Sequence, residues 1–116
     1  MLPKKNRLER LEVEEIIKTG SFFHTPYFTF YTKKGFNRAV FAVTVSKKVA
    51  KLAVSRNRIR RLFYREIAQS LKVGMLSFGG VFMVKKGGDA LSASVLATEL
   101  ALLDKEVQQK LENQPK

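Results

Sequence analysis

The sequence predicts a single-domain α+β protein, in which a small sheet is packed by about three helices. Three observations lead there. The 116 residues have room for one core, and a hydrophobic fraction of 45% with nine Phe is enough to fill it. Apolar residues recur with a helical period in three stretches, and alternate or run together in the shorter stretches between them. No repeat, low-complexity tract or linker divides the chain, so residues 1–116 are expected to form one domain with flexible ends at 1–7 and 112–116.

The first helix is predicted over Glu9 to Thr19, where Val13 and Ile17 form a stripe beside Leu8, Leu11 and Ile16, and Gly20 stops it. Ser21 to Pro26 reads as loop. Tyr27 to Thr32 alternates as a half-buried strand, with Tyr27, Thr29 and Tyr31 on one face and Phe28 and Phe30 on the other. A turn at Lys33 to Asn37 and a second, more apolar strand at Arg38 to Ser46 suggest a hairpin. A further strand could be hidden in Val40 to Val45.

From Ala53 to Leu71 the period returns to that of a helix. Leu52, Ile59, Leu62, Phe63, Ile67 and Leu71 gather on one side. Arg58, Arg61 and Arg65 point away, Asn57, Arg60 and Tyr64 lie on a flank, and Arg56 sits at the margin of the apolar stripe. Its stem can pack while its head stays wet. Gly74 to Lys86 carries the buried-type strand Val81-Phe82-Met83-Val84, with Gly79-Gly80 as a bulge or bend. Ser92 to Leu111 is the last amphipathic helix.

Charge is the strongest functional signal. The net charge is +12, yet from Ile16 to Arg65 there are 12 Lys or Arg and no Asp or Glu, while the remainder is balanced. Eight of these cations fall between Ser46 and Arg65, and Arg56, Arg58, Arg60, Arg61 and Arg65 share one predicted helix. A solvated helix face mixes signs. Here like charges crowd at i, i+3 and i+4, a repulsion that a bound polyanion relieves. Arginine's planar fork also suits phosphate oxygens. Tyr27, Tyr31 and Phe28 could stack on unpaired bases, although Phe28 and Phe30 read better as core.

Other chemistries have little support. The chain has no Cys, which excludes disulfides and thiolate metal sites, and one histidine, His24, with no carboxylate near it. Glu12, Glu14 and Glu15 read as a solvated face rather than a general acid or base. Gly87-Gly88-Asp89 lacks the remainder of a P-loop. No apolar run is long enough to span a bilayer, and the charged start lacks the apolar segment of a secretory signal. A cytoplasmic RNA-binding protein with no membrane partner and no catalytic residues of its own is the expectation.

The run Arg56-Asn57-Arg58-Ile59-Arg60-Arg61, preceded by Ser46-Lys47-Lys48-Val49, closely resembles the protein subunit of bacterial ribonuclease P. Lys5-Asn6-Arg7-Leu8, Phe28 to Thr32 and the Leu-rich last helix extend the resemblance over most of the chain. It implies an α/β sandwich with a mixed sheet and a left-handed βαβ crossover, against the usual hand. It also implies that an RNA is the catalyst, with Mg²⁺ held mainly by RNA, cutting the 5′ leader from precursor tRNA without a required protein partner. Lys47, Lys48, Lys51, Arg56, Asn57, Arg58, Arg60, Arg61, Tyr64 and Arg65 would form the RNA-binding surface. Val13, Ile17, Phe28 and Tyr31 would line a cleft for the leader. The family usually has Phe at the positions of Val13 and Ile17. A structural, ribosomal-type RNA-binding protein is the main alternative; a DNA regulator lacks a helix-turn-helix spacing, and a stand-alone nuclease lacks the side chains.

Overall fold

A computed structural model describes residues 8–32, 40–74, 79–88 and 91–113. In chain order these form α1 (Arg10–Thr19), β1 (Ser21–His24), β2 (Phe28–Thr32), β3 (Phe41–Thr44), α2 (Ala53–Lys72), β4 (Gly80–Val84) and α3 (Ala93–Asn113). The three expected helices are present within about two residues at their ends, the usual uncertainty of a boundary. Ser92 starts α3, its Oγ accepting from Val95 N at 3.3 Å as an N-cap. Of the ends expected to be flexible, 1–7 and 114–116 lie outside the described residues, while 112–113 belong to α3. The expected turn at 33–37 also lies outside them.

The sheet has the order β1-β2-β4-β3, antiparallel between β1 and β2 and between β2 and β4, and parallel between β4 and β3. Two sequence expectations change. Ser21 to His24 is a strand, not a loop: Thr25 Oγ1 accepts from the amides of Tyr27 and Phe28 at 3.1 and 3.0 Å, so Thr25 to Tyr27 make a tight hairpin connection. The hairpin proposed between the second and third strands does not form, because β4 lies between them. Val81-Phe82-Val84 is buried on both faces, the mark of a central strand. Gly80 is no bulge either; it pairs with Phe41, and a Cβ there would meet the Phe30 ring and the Tyr31 carbonyl at 2.3–2.4 Å.

One face of the sheet meets α2 and α3. Phe28, Phe30, Phe41, Val43 and Phe82 project from it against Ile59, Phe63, Ile67, Leu96, Leu100, Leu103 and Val107. Phe82 is the hub, its ring centroid 4.6–6.1 Å from those of Phe30, Phe28, Phe63 and Phe41. Val81 alternates to the other face, where it is buried although it is not part of that cluster; α1 covers this end, packing Ile16 over β2 and β4. Leu52 departs from the expected apolar stripe and is 68% exposed. It precedes α2 in extended backbone (φ −83°, ψ 135°), so a helical period does not carry back to it.

Candidate nucleic-acid interface

Ile59, Phe63 and Ile67 hold α2 on the core, and its opposite side must therefore face water. That side is basic. Lys47, Lys48, Lys51, Arg58, Arg61 and Arg65 are exposed, and no acid lies in the first turn of α2 to offset its positive end. A groove of about 1090 Å³ runs along the helix, between it and the segments around Val49 and Gly88, with Arg58, Arg61, Arg65 and Lys72 on its rim and Ile59 and Leu62 beneath.

The arginines expected to act alike divide by what holds them. Arg56 turns back, and its Nη1 donates to the carbonyl oxygens of Ala50 and Lys51 at 3.0 and 2.8 Å. It clips the lysine-bearing segment to the start of the helix. Arg60 donates from Nη2 to Asn57 Oδ1, which orients its guanidinium. Arg65 Nε lies 3.5 Å from Glu66 Oε2. The side chains of Arg58 and Arg61 have no hydrogen bond or ion pair with any described residue and keep all their donors for a ligand.

Tyr64 lines the groove with its ring and gives its hydroxyl to the fold: Val43 N donates to Tyr64 Oη at 3.1 Å. Val43 lies on β3, the outer strand of the sheet, and the Phe41 carbonyl on the same edge accepts from Leu8 N at 3.1 Å. Both groups would otherwise be an open edge. Tyr64→Phe should therefore lower stability by about 0.5–1.5 kcal/mol. It should also speed exchange of the Val43 amide; unchanged urea unfolding with unchanged exchange would show that the hydroxyl does not hold this edge.

The second set of expected residues, for the cleft, is brought together only in part. Phe28 is a correction: it is completely buried, with its ring 5.7 Å from that of Phe63 and 5.2 Å from that of Phe82, so it forms core and no cleft wall. Its face of β2 is the one that meets α2. Tyr31 alternates to the α1 face and is half-buried there, and Val13 and Ile17 are half-buried on α1. The same face carries Phe22 opposite Tyr31 and His24 opposite Thr29 by strand register. Sequence reading missed both, although the spacing of Phe22 and His24 is that of one strand face. By register, Met83 and Thr44 continue this face across β4 and β3; Thr29 is buried and Met83 exposed.

Among the described residues no three His, Cys, Asp or Glu are grouped to hold a metal ion, and no helix is long and apolar enough to cross a membrane.

Comparison with known proteins agrees with this fold. The family model described as Ribonuclease P matches residues 2–108. The ribonuclease P protein component of Pseudanabaena sp. (strain PCC 6903) is 35% identical over 88 residues, covering 65% of this chain and 70% of that protein. The RNase P protein of Staphylococcus aureus superposes with a TM-score of 0.72 at 21% identity, over 90% of this chain and 96% of its own. That of Thermotoga maritima gives 0.73 at 22% identity, over 86% and 96%. The chain belongs to the ribonuclease P protein family.

Proposed function

We propose that this chain is the protein subunit of a ribonuclease P, binding the catalytic RNA through α2 and the 5′ leader of precursor tRNA on the α1 face of the sheet. The observation that carries the reading is the basic face of α2, where Arg58 and Arg61 stand unpaired among the described residues beside Arg60 and Arg65, each held in place by a neighbour. Phosphates of a folded RNA would neutralise a field that this protein leaves uncompensated. The chemistry would belong to the RNA, with Mg²⁺ held by RNA phosphates; among the described residues that line the groove there is no His, Asp or Glu. Such an enzyme works on tRNA in the cytoplasm, which suits a chain with no membrane-crossing helix among its described residues.

What the protein can do physically is twofold. Cations along α2 lower the repulsion between RNA segments, so less Mg²⁺ is needed to hold the active fold. Half-buried side chains on the sheet face add contacts that only a precursor, with its single-stranded leader, can make. Reconstitution with a ribonuclease P RNA tests the reading. At low Mg²⁺ the protein should raise the rate of precursor cleavage well above that of RNA alone. Tight RNA binding with no stimulation would instead favour a structural RNA-binding protein.

A further inference from the structure

The exposed end of the α1 face carries aromatic side chains that neither the core nor the basic helix explains. Phe22 is 53% exposed although it sits in a paired strand, opposite Tyr31. Its ring centroid lies 4.9 Å from that of His24, tilted by 59°, and 6.3 Å from that of Tyr31, tilted by 52°. His24 is fixed in turn: its Nδ1 is 3.0 Å from Oγ1 of Thr29, which is buried, so the Nε2 edge is the part left to meet a ligand. These three rings form a platform held by strand pairing, with no long flexible side chain to order on binding.

The platform is continuous with charge. From His24 the strip crosses Thr29, Met83 and Thr44 through the strand register, and Met83 is itself 37% exposed. Two residues beyond Thr44 the exposed Ser46, Lys47 and Lys48 begin. A ligand lying along this strip would meet aromatic faces at one end and ammonium groups at the other. That sequence of chemistry fits a single strand of RNA, whose bases are free to stack while its phosphates pair with cations. A duplex hides its base faces.

We infer that Phe22 and His24 are base-contacting residues: one unpaired nucleotide of the 5′ leader stacks on Phe22, and His24 meets the edge of that base through Nε2. This rests on the leader-binding reading above and adds to it the residues that grip the base.

The test uses the reconstituted holoenzyme and compares affinity for a precursor tRNA bearing a short single-stranded leader with affinity for mature tRNA. Phe22→Ala should weaken precursor binding by about 5-fold to 100-fold and leave mature tRNA unaffected. Phe22→Leu should lose nearly as much and Phe22→Trp should retain binding, a pattern that needs a ring and not merely apolar bulk. Because His24 is the only histidine, its ring protons are identified by composition. They should shift when a single-stranded RNA of the leader sequence is added to the full chain. Phe22→Ala binding precursor like the unaltered protein, or His24 protons unmoved by the RNA, would overturn the inference. If the unaltered holoenzyme itself fails to distinguish precursor from mature tRNA, the leader-binding reading fails instead.

Discussion

Replacing Arg58 and Arg61 together by Ala lowers affinity for ribonuclease P RNA on the order of tenfold for each arginine removed. It also flattens the salt dependence of binding, by about 1.4 to 1.8 in the slope of log affinity against log salt. The reason is their isolation. Every donor on these two side chains is free of described partners, so each phosphate they meet is neutralised with no internal bond to break. Arg56 behaves differently because its Nη1 holds the Ala50 and Lys51 carbonyls. Arg56→Ala should release the Lys47 to Lys51 segment, and its effect should appear in the protease sensitivity of that segment as well as in binding. A filter-binding titration across salt concentrations separates the cases. An unchanged slope in the double variant would place both arginines off the RNA.

The second large effect is on stability. Phe82→Ala removes the ring around which Phe28, Phe30, Phe41 and Phe63 are arranged, on the central strand where no collapse from solvent can refill the space. Deletions of this kind cost about 3–5 kcal/mol. A domain of this size has about 5–15 kcal/mol in total, so the melting temperature should fall by roughly 12–20 °C or the fold be lost. Phe22→Ala is the control: the same chemical change at a largely exposed ring should cost no more than about 1 kcal/mol. Similar losses at both positions in thermal melts would mean that Phe22 is part of the core.

Much of this was readable from the sequence, and particular residues show where reading stops. Ile59, Phe63 and Ile67 announce α2 because a helical period is a local property, and the arginines between them follow from the same geometry. Strand order is not local. Phe28 meets Val84 and Phe41 meets Gly80, pairings that join distant parts of the chain, so a short gap after Thr32 looks like a hairpin when the partner is β4. β1 was hidden by its turn residues, since Ser21 and Pro26 at its two ends outweigh the alternation of Phe22 and His24. With β1 read as loop, two of the three rings of the aromatic platform go unseen, and Phe28 falls to a cleft that its own strand face excludes. The roles of Arg56 and Tyr64 were equally out of reach, because their partners are backbone groups, Ala50 O and Val43 N, which carry no signature in sequence.

Two opposite sides of the molecule would serve two RNAs, the catalytic RNA along the solvent side of α2 and the leader on the α1 face of the sheet. The chain contains no Cys, so a single introduced thiol can be labelled uniquely. Gln69→Cys places a hydroxyl-radical-generating iron chelate at the α2 groove, and Met83→Cys places one on the open sheet face. In a holoenzyme bound to precursor tRNA, the label at residue 69 should cut the catalytic RNA and spare the leader, while the label at residue 83 should cut the leader. Cleavage of the same RNA segment from both positions, or an intact leader with the label at residue 83, would contradict the account.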